Sequence, residues 1–170
     1  MSYLVVCPLS QLEKTIQLHR PREMITLMSP GAVSARPSTI APENHYSLTF
    51  NDITEPREGY IQPVTNDILT IIKIAEHWDQ KHPLLIHCQM GISRSTAAAF
   101  ITACSLLPKK DELQLALLLR KLSPSATPNK LMIALADNIL NRNGRMIKAI
   151  ESIGRGADAF EGTPFELPIV

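Results

Sequence analysis

Short apolar runs alternate with longer amphipathic stretches along this chain. Runs of apolar and β-branched residues, some alternating with polar positions, predict strands at residues 3–9, 23–29, 45–50 and 83–88. Longer stretches with apolar residues at helical spacing predict helices at residues 10–20, 63–82, 93–107, 110–122 and 129–141. The stretch 93–107 is apolar on nearly every side and should be a buried central helix, and Asn129 is placed as an N-cap.

This order of elements predicts an α/β fold. Strands alternating with helices indicate a mostly parallel central sheet with helices on both faces, followed by a helical C-terminal third. The segments 29–44 and 51–63 lack periodicity and are predicted to be long loops, which often carry function in compact domains. We expect one domain over residues 1–170, with the tail from about residue 155 to 170 peripheral on the surface.

The composition argues against several classes of function. The chain has 17 Lys and Arg against 16 Asp and Glu, so its charge favours neither nucleic acid nor an anionic membrane as partner. Its three cysteines are an odd number at wide spacings, which predicts a reducing, cytoplasmic location rather than a disulfide framework. No Cys or His spacing suits zinc, and we expect neither a metal nor an organic cofactor. The first apolar run is too short for a signal peptide or a membrane span.

Candidate chemistry is concentrated between the last predicted strand and the central helix. Cys88 stands at the turn from strand to helix, where backbone N–H groups point outward from the carboxyl edge of a parallel sheet. Gly91 lets the loop curl without a Cβ clash, so that successive amides can converge on one anion. Arg94 can add a planar, two-pronged grip that a lysine could not reproduce. The loop therefore predicts a cradle for a tetrahedral oxyanion.

The same positive field should stabilise the Cys88 thiolate. An activated thiolate below a bound tetrahedral anion indicates nucleophilic attack on phosphorus. Taken alone, a cysteine at the end of an apolar strand is more often a small buried hydrophobic residue. The combination with Gly91, Arg94 and flanking hydroxyl groups favours the catalytic interpretation.

The sequence HCQMGISRS at residues 87–95 resembles the signature of the cysteine-dependent protein tyrosine phosphatase superfamily, in its dual-specificity branch. The resemblance spans residues 45–107. It implies a phosphocysteine formed on Cys88, a Ser95 hydroxyl that stabilises the sulfur as it leaves, and a His87 that tunes Cys88 through hydrogen bonds. It also implies that phosphate is bound by Arg94 and by the amides of Gln89, Met90, Gly91, Ile92 and Ser93.

A phosphate monoester also needs a general acid, because an expelled alkoxide or phenoxide is costly. The candidates in the second long loop are Asp52, Glu55 and Glu58. Asp52 follows the predicted strand 45–50 after one residue, where the dual-specificity branch carries a similar acid, and it is the preferred residue. Glu55 is the alternative. The Trp-Pro-Asp triplet of the tyrosine-specific branch is missing from this loop.

The signature loop also bears on the substrate. Phosphoinositide-directed relatives carry lysines inside the loop, whereas this chain has Gln, Met, Ile and Ser at positions 89, 90, 92 and 93. We therefore expect hydrolysis of phosphotyrosine or phosphoserine/threonine in proteins, or of a small phosphomonoester. Phosphate, sulfate or vanadate should be able to occupy the loop.

Three other functions use a loop of this kind. A non-catalytic phospho-binding module would keep the cradle without turnover, and a sulfurtransferase would carry a persulfide on the cysteine. An arsenate reductase would need a second, resolving thiol. Cys104 lies too far along the central helix to pair with Cys88 without unfolding, whereas Cys7 remains open as a partner.

Overall fold

Five strands form one sheet at the centre of the molecule, in the order β3-β2-β4-β1-β5. The computed structural model describes residues 2–170. The strands are β1 (Tyr3–Pro8), β2 (Glu23–Met28), β3 (His45–Thr49), β4 (Leu84–Cys88) and β5 (Phe165–Pro168). The first four run parallel to their neighbours and β5 runs antiparallel to β1, so the predicted, mostly parallel sheet is confirmed.

Six α-helices accompany the sheet in the described part of the chain. They are α1 (Leu12–His19), α2 (Thr65–His77), α3 (Arg94–Leu106), α4 (Glu112–Leu122), α5 (Lys130–Ile139) and α6 (Arg145–Ile153). The last three confirm the helical C-terminal third. Asn129 is the N-cap of α5, as predicted, because its side-chain oxygen accepts the backbone N–H of Met132 at 3.0 Å. No helix among residues 2–170 has both the length and the apolar character needed to cross a membrane.

Both faces of the sheet are covered, because successive side chains of a strand point to opposite faces. On one face Val5, Cys7 and Leu85 pack with residues of α1. On the other face Val6 and Ile86 join the larger core formed with helices α2 to α6. Central strands that are buried on both sides explain why their sequences read as continuous apolar runs.

Helix α3 is the buried centre of the larger core. Every residue from Arg94 to Cys104 is buried, and the helix contacts α2, α4, α5 and strands β1 and β4. Its alanines allow this close packing on all sides, so the prediction of a buried central helix is confirmed. The helix begins directly after the loop that follows Cys88, which places its N-terminus at the carboxyl edge of the sheet.

The prediction of a peripheral C-terminal tail is wrong for its last residues. Phe165–Pro168 forms β5, which pairs with β1 and closes that edge of the sheet. Phe165 is 8% exposed and Leu167 is 1% exposed, whereas Glu166 between them faces solvent. This alternation has the period of a half-buried strand, but only β1 as a partner makes so short a run stable.

Candidate active site

The loop that joins β4 to α3 curls at the carboxyl edge of the sheet. It starts at Cys88, which is in register with Pro8 of β1. Gly91 has a φ of +66°, a left-handed conformation that favours glycine. A Cβ at this position would also lie 2.7 Å from the backbone nitrogen of Pro8. The tight curl thus depends on glycine for both its backbone conformation and its contact with β1.

Backbone N–H groups from outside the loop hold four of its carbonyl groups on the outer side. These hydrogen bonds run from Leu9 to Gln89 at 3.1 Å, from Gly162 to Met90 at 2.7 Å, from Thr127 to Ile92 at 2.9 Å and from Asn129 to Ser93 at 3.3 Å. A trans peptide directs its N–H opposite to its C=O. The amides that follow these carbonyls therefore face the inner side of the curl, where N–H groups make an anion-binding concavity at the start of α3.

Cys88 lies at the base of this concavity. Its side chain is 3% exposed, and its sulfur accepts the backbone N–H of Gly91 at 3.3 Å. The Ser95 hydroxyl oxygen lies 3.1 Å from the sulfur. Ser95 is the second residue of α3 and is fully buried, so it has a fixed direction toward Cys88. The structure therefore brings together the two residues that the sequence paired.

Arg94 is clamped by one end of its guanidinium group. Its Nη1 donates to the Ser29 hydroxyl at 3.0 Å and to the Phe50 carbonyl at 2.8 Å. Its Nε is buried and has no hydrogen-bond partner among residues 2–170. Ser29 directly follows β2 and Phe50 directly follows β3, so two neighbouring strand ends orient this arginine. The clamp leaves the Nε edge of the guanidinium without a protein partner, and a free edge of this kind can hold an anion.

Asp52 is the acidic candidate that contacts the loop. Its Oδ1 accepts the Ser93 hydroxyl at 2.8 Å and the Asn129 side-chain amide at 2.8 Å. Both of these hydrogen bonds go to one oxygen, which leaves Oδ2 without a donor among the described residues. Glu55 and Glu58 are exposed and make no hydrogen bond in the described chain. The structure thus brings Asp52, and neither glutamate, to the cradle.

The segment that carries Asp52 is closed at its base. The Asn51 N–H donates to the Ile61 carbonyl at 2.7 Å, and the Ile61 N–H donates back to Asn51 Oδ1 at 2.8 Å. Near the tip, the Arg57 guanidinium carbon lies 4.4 Å from the centre of the Tyr60 ring. Asp52 belongs to the closed base, whereas the exposed tip carries a cation stacked on an aromatic ring.

His87 lies behind the loop and is fully buried. Its Nε2 lies 2.8 Å from the Thr26 hydroxyl oxygen, which also lies 2.9 Å from Nε2 of His45. Burial lowers the pKa of His87 to about 4, so the ring is neutral at physiological pH. A neutral, hydrogen-bonded imidazole can orient the strand end that carries Cys88.

The thiols of the two remaining cysteines do not line the cradle, although the backbone of Cys7 contacts the loop at Gly91. Cys7 belongs to the α1 side of the sheet and Cys88 to the opposite side, so their side chains do not face each other. Burial raises the pKa of Cys7 to about 12 and that of Cys104 to about 12, which keeps both thiols protonated. All three cysteines are free. The sequence left open that Cys7 is the resolving thiol of an arsenate reductase. This geometry argues against that role.

Sequence reasoning missed four contributions to the site: Ser29, the Phe50 carbonyl, the Asn129 amide and Gly162. Ser29 carried a usable signal, since it is a polar residue directly after a parallel strand. Asn129 was recognised as a helix cap, but its second hydrogen-bonding group showed no pattern. The backbone contributions of Phe50 and Gly162 have no side-chain signature.

Comparison with solved structures finds chains of the same fold. The Cydia pomonella PTP-2 phosphatase superposes with a TM-score of 0.61 at 13% identity, over 78% of this chain and 83% of that one. Tk-PTP in its active form superposes with a TM-score of 0.52 at 15% identity, over 79% of this chain and 88% of that one. No protein-family model and no curated protein sequence matches. The chain therefore has the protein tyrosine phosphatase fold expected from the resemblance of residues 87–95.

Proposed function

We propose that this chain is a phosphatase that hydrolyses phosphate monoesters through a phosphocysteine intermediate. The observation that carries the proposal is the convergence, in one loop, of the Cys88 sulfur, inward-facing amides and the unpartnered Nε of Arg94. An anion held by these donors has a nucleophile directly below it. The similarity in fold to the Cydia pomonella PTP-2 phosphatase supports the same conclusion.

In the first step, the phosphoryl oxygens accept hydrogen bonds from the amides of residues 89–94 and from Arg94. The Cys88 thiolate attacks phosphorus, so that an S–P bond forms while the bond between phosphorus and the ester oxygen breaks. The transition state is loose, and its negative charge lies mainly on the three equatorial oxygens. Donors that are already oriented stabilise this charge without reorganising.

Asp52 supplies the proton that the leaving oxygen needs. Its Oδ1 is occupied by Ser93 and Asn129, so the proton of the carboxylic acid is carried by Oδ2. Because Ser93 is itself part of the loop, its hydrogen bond sets the carboxyl group beside the bound phosphoryl group. A proton delivered at this point avoids expulsion of a basic alkoxide or phenoxide.

In the second step, water attacks the phosphocysteine and the S–P bond breaks. The Asp52 carboxylate, now deprotonated, accepts a proton from that water, and inorganic phosphate leaves the loop. The sulfur departs as a thiolate, which is stabilised by the Ser95 hydroxyl and the Gly91 N–H. His87 contributes by position rather than by proton transfer.

The substrates that suit the loop are phosphotyrosine and phosphoserine/threonine in proteins. Inside residues 88–94, Arg94 is the only cationic side chain, so there is no second cation for the additional phosphates of an inositol headgroup. Met90 at the rim is 37% exposed and presents an apolar surface to whatever carries the phosphate. A panel of phosphopeptides and phosphoinositides tests this point: a preference above about tenfold for a phosphoinositide in kcat/KM contradicts it.

Two alternatives are disfavoured by specific contacts. A sulfurtransferase has no use for Asp52 held at the cradle or for Ser95 beside the sulfur. An arsenate reductase needs a resolving thiol, but the Cys7 side chain lies on the opposite face of the sheet from Cys88, and Cys104 lies ten residues beyond Arg94 in α3, about 15 Å along the helix axis. A binding module that lacks turnover is separated from an enzyme by the experiment below.

The test is hydrolysis of a nitrophenyl phosphate by the wild-type chain and by Cys88→Ser. We expect turnover in the wild type, and in Cys88→Ser a loss of about 10³-fold or more with vanadate binding retained, because the cradle remains and the nucleophile is gone. Cys104→Ser makes the same substitution at another buried cysteine of the fold and should keep activity. Wild-type-like hydrolysis by Cys88→Ser contradicts the assignment. Vanadate binding without hydrolysis in the wild type would identify a binding module.

A further inference from the structure

The segment between α6 and β5 passes behind the phosphate-binding loop and touches its backbone. The Gly162 N–H donates to the Met90 carbonyl at 2.7 Å. A Cβ at position 162 would lie 2.4 Å from the Gly91 carbonyl oxygen, closer than real Cβ atoms approach. Gly162 does not have a positive φ, so its requirement for glycine comes from this contact and not from its own backbone conformation.

We propose that Gly162 is a positioning residue for the candidate active site, and that the C-terminal segment thereby sets the geometry of the thiolate-binding amide. The inference rests on the proposed function, and it adds a residue outside the signature 87–95 that supports the geometry of the loop. The Met90 carbonyl and the Gly91 N–H belong to one peptide group, and in a trans peptide they point in opposite directions. Holding the Met90 carbonyl outward therefore aims the Gly91 N–H at the Cys88 sulfur, 3.3 Å away.

Gly162 can act in this way because it is anchored on both sides. After it, Phe165 pairs with Val6 of β1, and the Ile169 N–H donates to the Ser2 carbonyl at 2.9 Å. Before it, the Glu161 carboxylate accepts the Ser10 hydroxyl at 2.7 Å. The segment is thus a brace fixed to the sheet, and Gly162 is the point at which it meets the loop.

The test compares two glycine-to-alanine variants of the same segment. Gly162→Ala forces the loop or the brace to move, and displacements approaching 1 Å at such a site can cost about 100-fold, so we expect kcat/KM to fall about 10- to 100-fold. Gly154→Ala is the matched control in the same segment. Gly154 has a φ of +61°, which strains an alanine, but a Cβ at this position would meet no atom within 4 Å and so would not displace the loop.

Three readouts separate positioning from general destabilisation. The first two are vanadate affinity and the rate of Cys88 alkylation by iodoacetamide at acidic pH, since both depend on the inward amides. Both should fall in Gly162→Ala and stay within about threefold of the wild type in Gly154→Ala, at temperatures where each variant is folded. The third needs no variant: vanadate should slow hydrogen exchange of the Gly162 amide, because coupling between two sites is reciprocal.

Each outcome decides a separate point. If Gly162→Ala keeps the wild-type vanadate affinity and alkylation rate, the positioning role is overturned. It is also overturned if both variants lose affinity and alkylation rate to the same extent. Should Gly162→Ala fail to fold, unchanged exchange at Gly162 on adding vanadate to the wild type overturns it. A wild-type chain that neither binds vanadate nor hydrolyses nitrophenyl phosphate refutes the proposed function instead.

Discussion

Replacing His87 with asparagine should make the stability of the protein less sensitive to acid. The His87 ring is fully buried, and its Nε2 is hydrogen-bonded to Thr26. Burial lowers the pKa of this histidine from 6.5 to about 4, because a charged ring would lose its hydration without gaining a counter-ion. The folded chain therefore takes up this proton at much lower pH than the unfolded chain does.

The sign and size of the effect follow from proton linkage. As the pH falls below 6.5, the unfolded state binds a proton that the folded state refuses, so the free energy of unfolding decreases until the pH reaches about 4. The full difference corresponds to about 3 kcal/mol, and about 2 kcal/mol of it should already be lost at about pH 5. Above about pH 7 the contribution is constant.

Urea unfolding followed by circular dichroism, at several values between about pH 7.5 and pH 5, measures this loss. The wild type should lose about 2 kcal/mol more than His87→Asn over the range. His45, whose pKa is also lowered by burial, is present in both proteins. His82→Gln replaces an exposed histidine, and the free energy of unfolding of this variant should change with pH as it does in the wild type. Equal slopes in wild type and His87→Asn would refute the reasoning.

Three further predictions concern the acid, the arginine and the C-terminal strand. Asp52→Asn should slow hydrolysis of an alkyl phosphate by about 10²-fold or more but that of a nitrophenyl phosphate far less, because a nitrophenolate needs little protonation to leave, whereas Glu55→Gln should change neither rate. An equal loss on both substrates would make Asp52 a positioning residue. Arg94→Lys should lower kcat/KM about 100-fold despite its retained charge, because Lys cannot make the two-pronged contact; equal rates would mean that Arg94 is structural. Leu167→Ala should lower the free energy of unfolding by about 2–4 kcal/mol in urea titrations, because Leu167 is 1% exposed. Val170→Ala, at a position that is 59% exposed, should leave that free energy unchanged. An unchanged free energy of unfolding in Leu167→Ala would contradict a structural role for β5.

Local features of the candidate site could be inferred from the order of residues alone. Cys88, Gly91 and Arg94 lie within one turn between a strand and a helix, so their spacing constrains the loop whatever surrounds it. The apolar character of residues 84–88 and of α3 predicted a buried strand and a buried helix for the same reason. Where the interactions that determine a local structure lie within a few residues of one another, the sequence pattern is enough to predict that structure.

The tertiary structure decided which distant groups complete the site. Ser93 and Asp52 are separated by 41 residues, Asn129 and Asp52 by 77, and Arg94 and Ser29 by 65. The choice of Asp52 over Glu55 depends on where two loops meet, which no local pattern records. The same holds for the C-terminal segment. Its strand is short and forms only against β1, and Gly162 meets the loop only because the fold brings the two segments together. Contacts between backbone groups that are far apart along the chain exist only once the sheet has brought the strand ends to one edge.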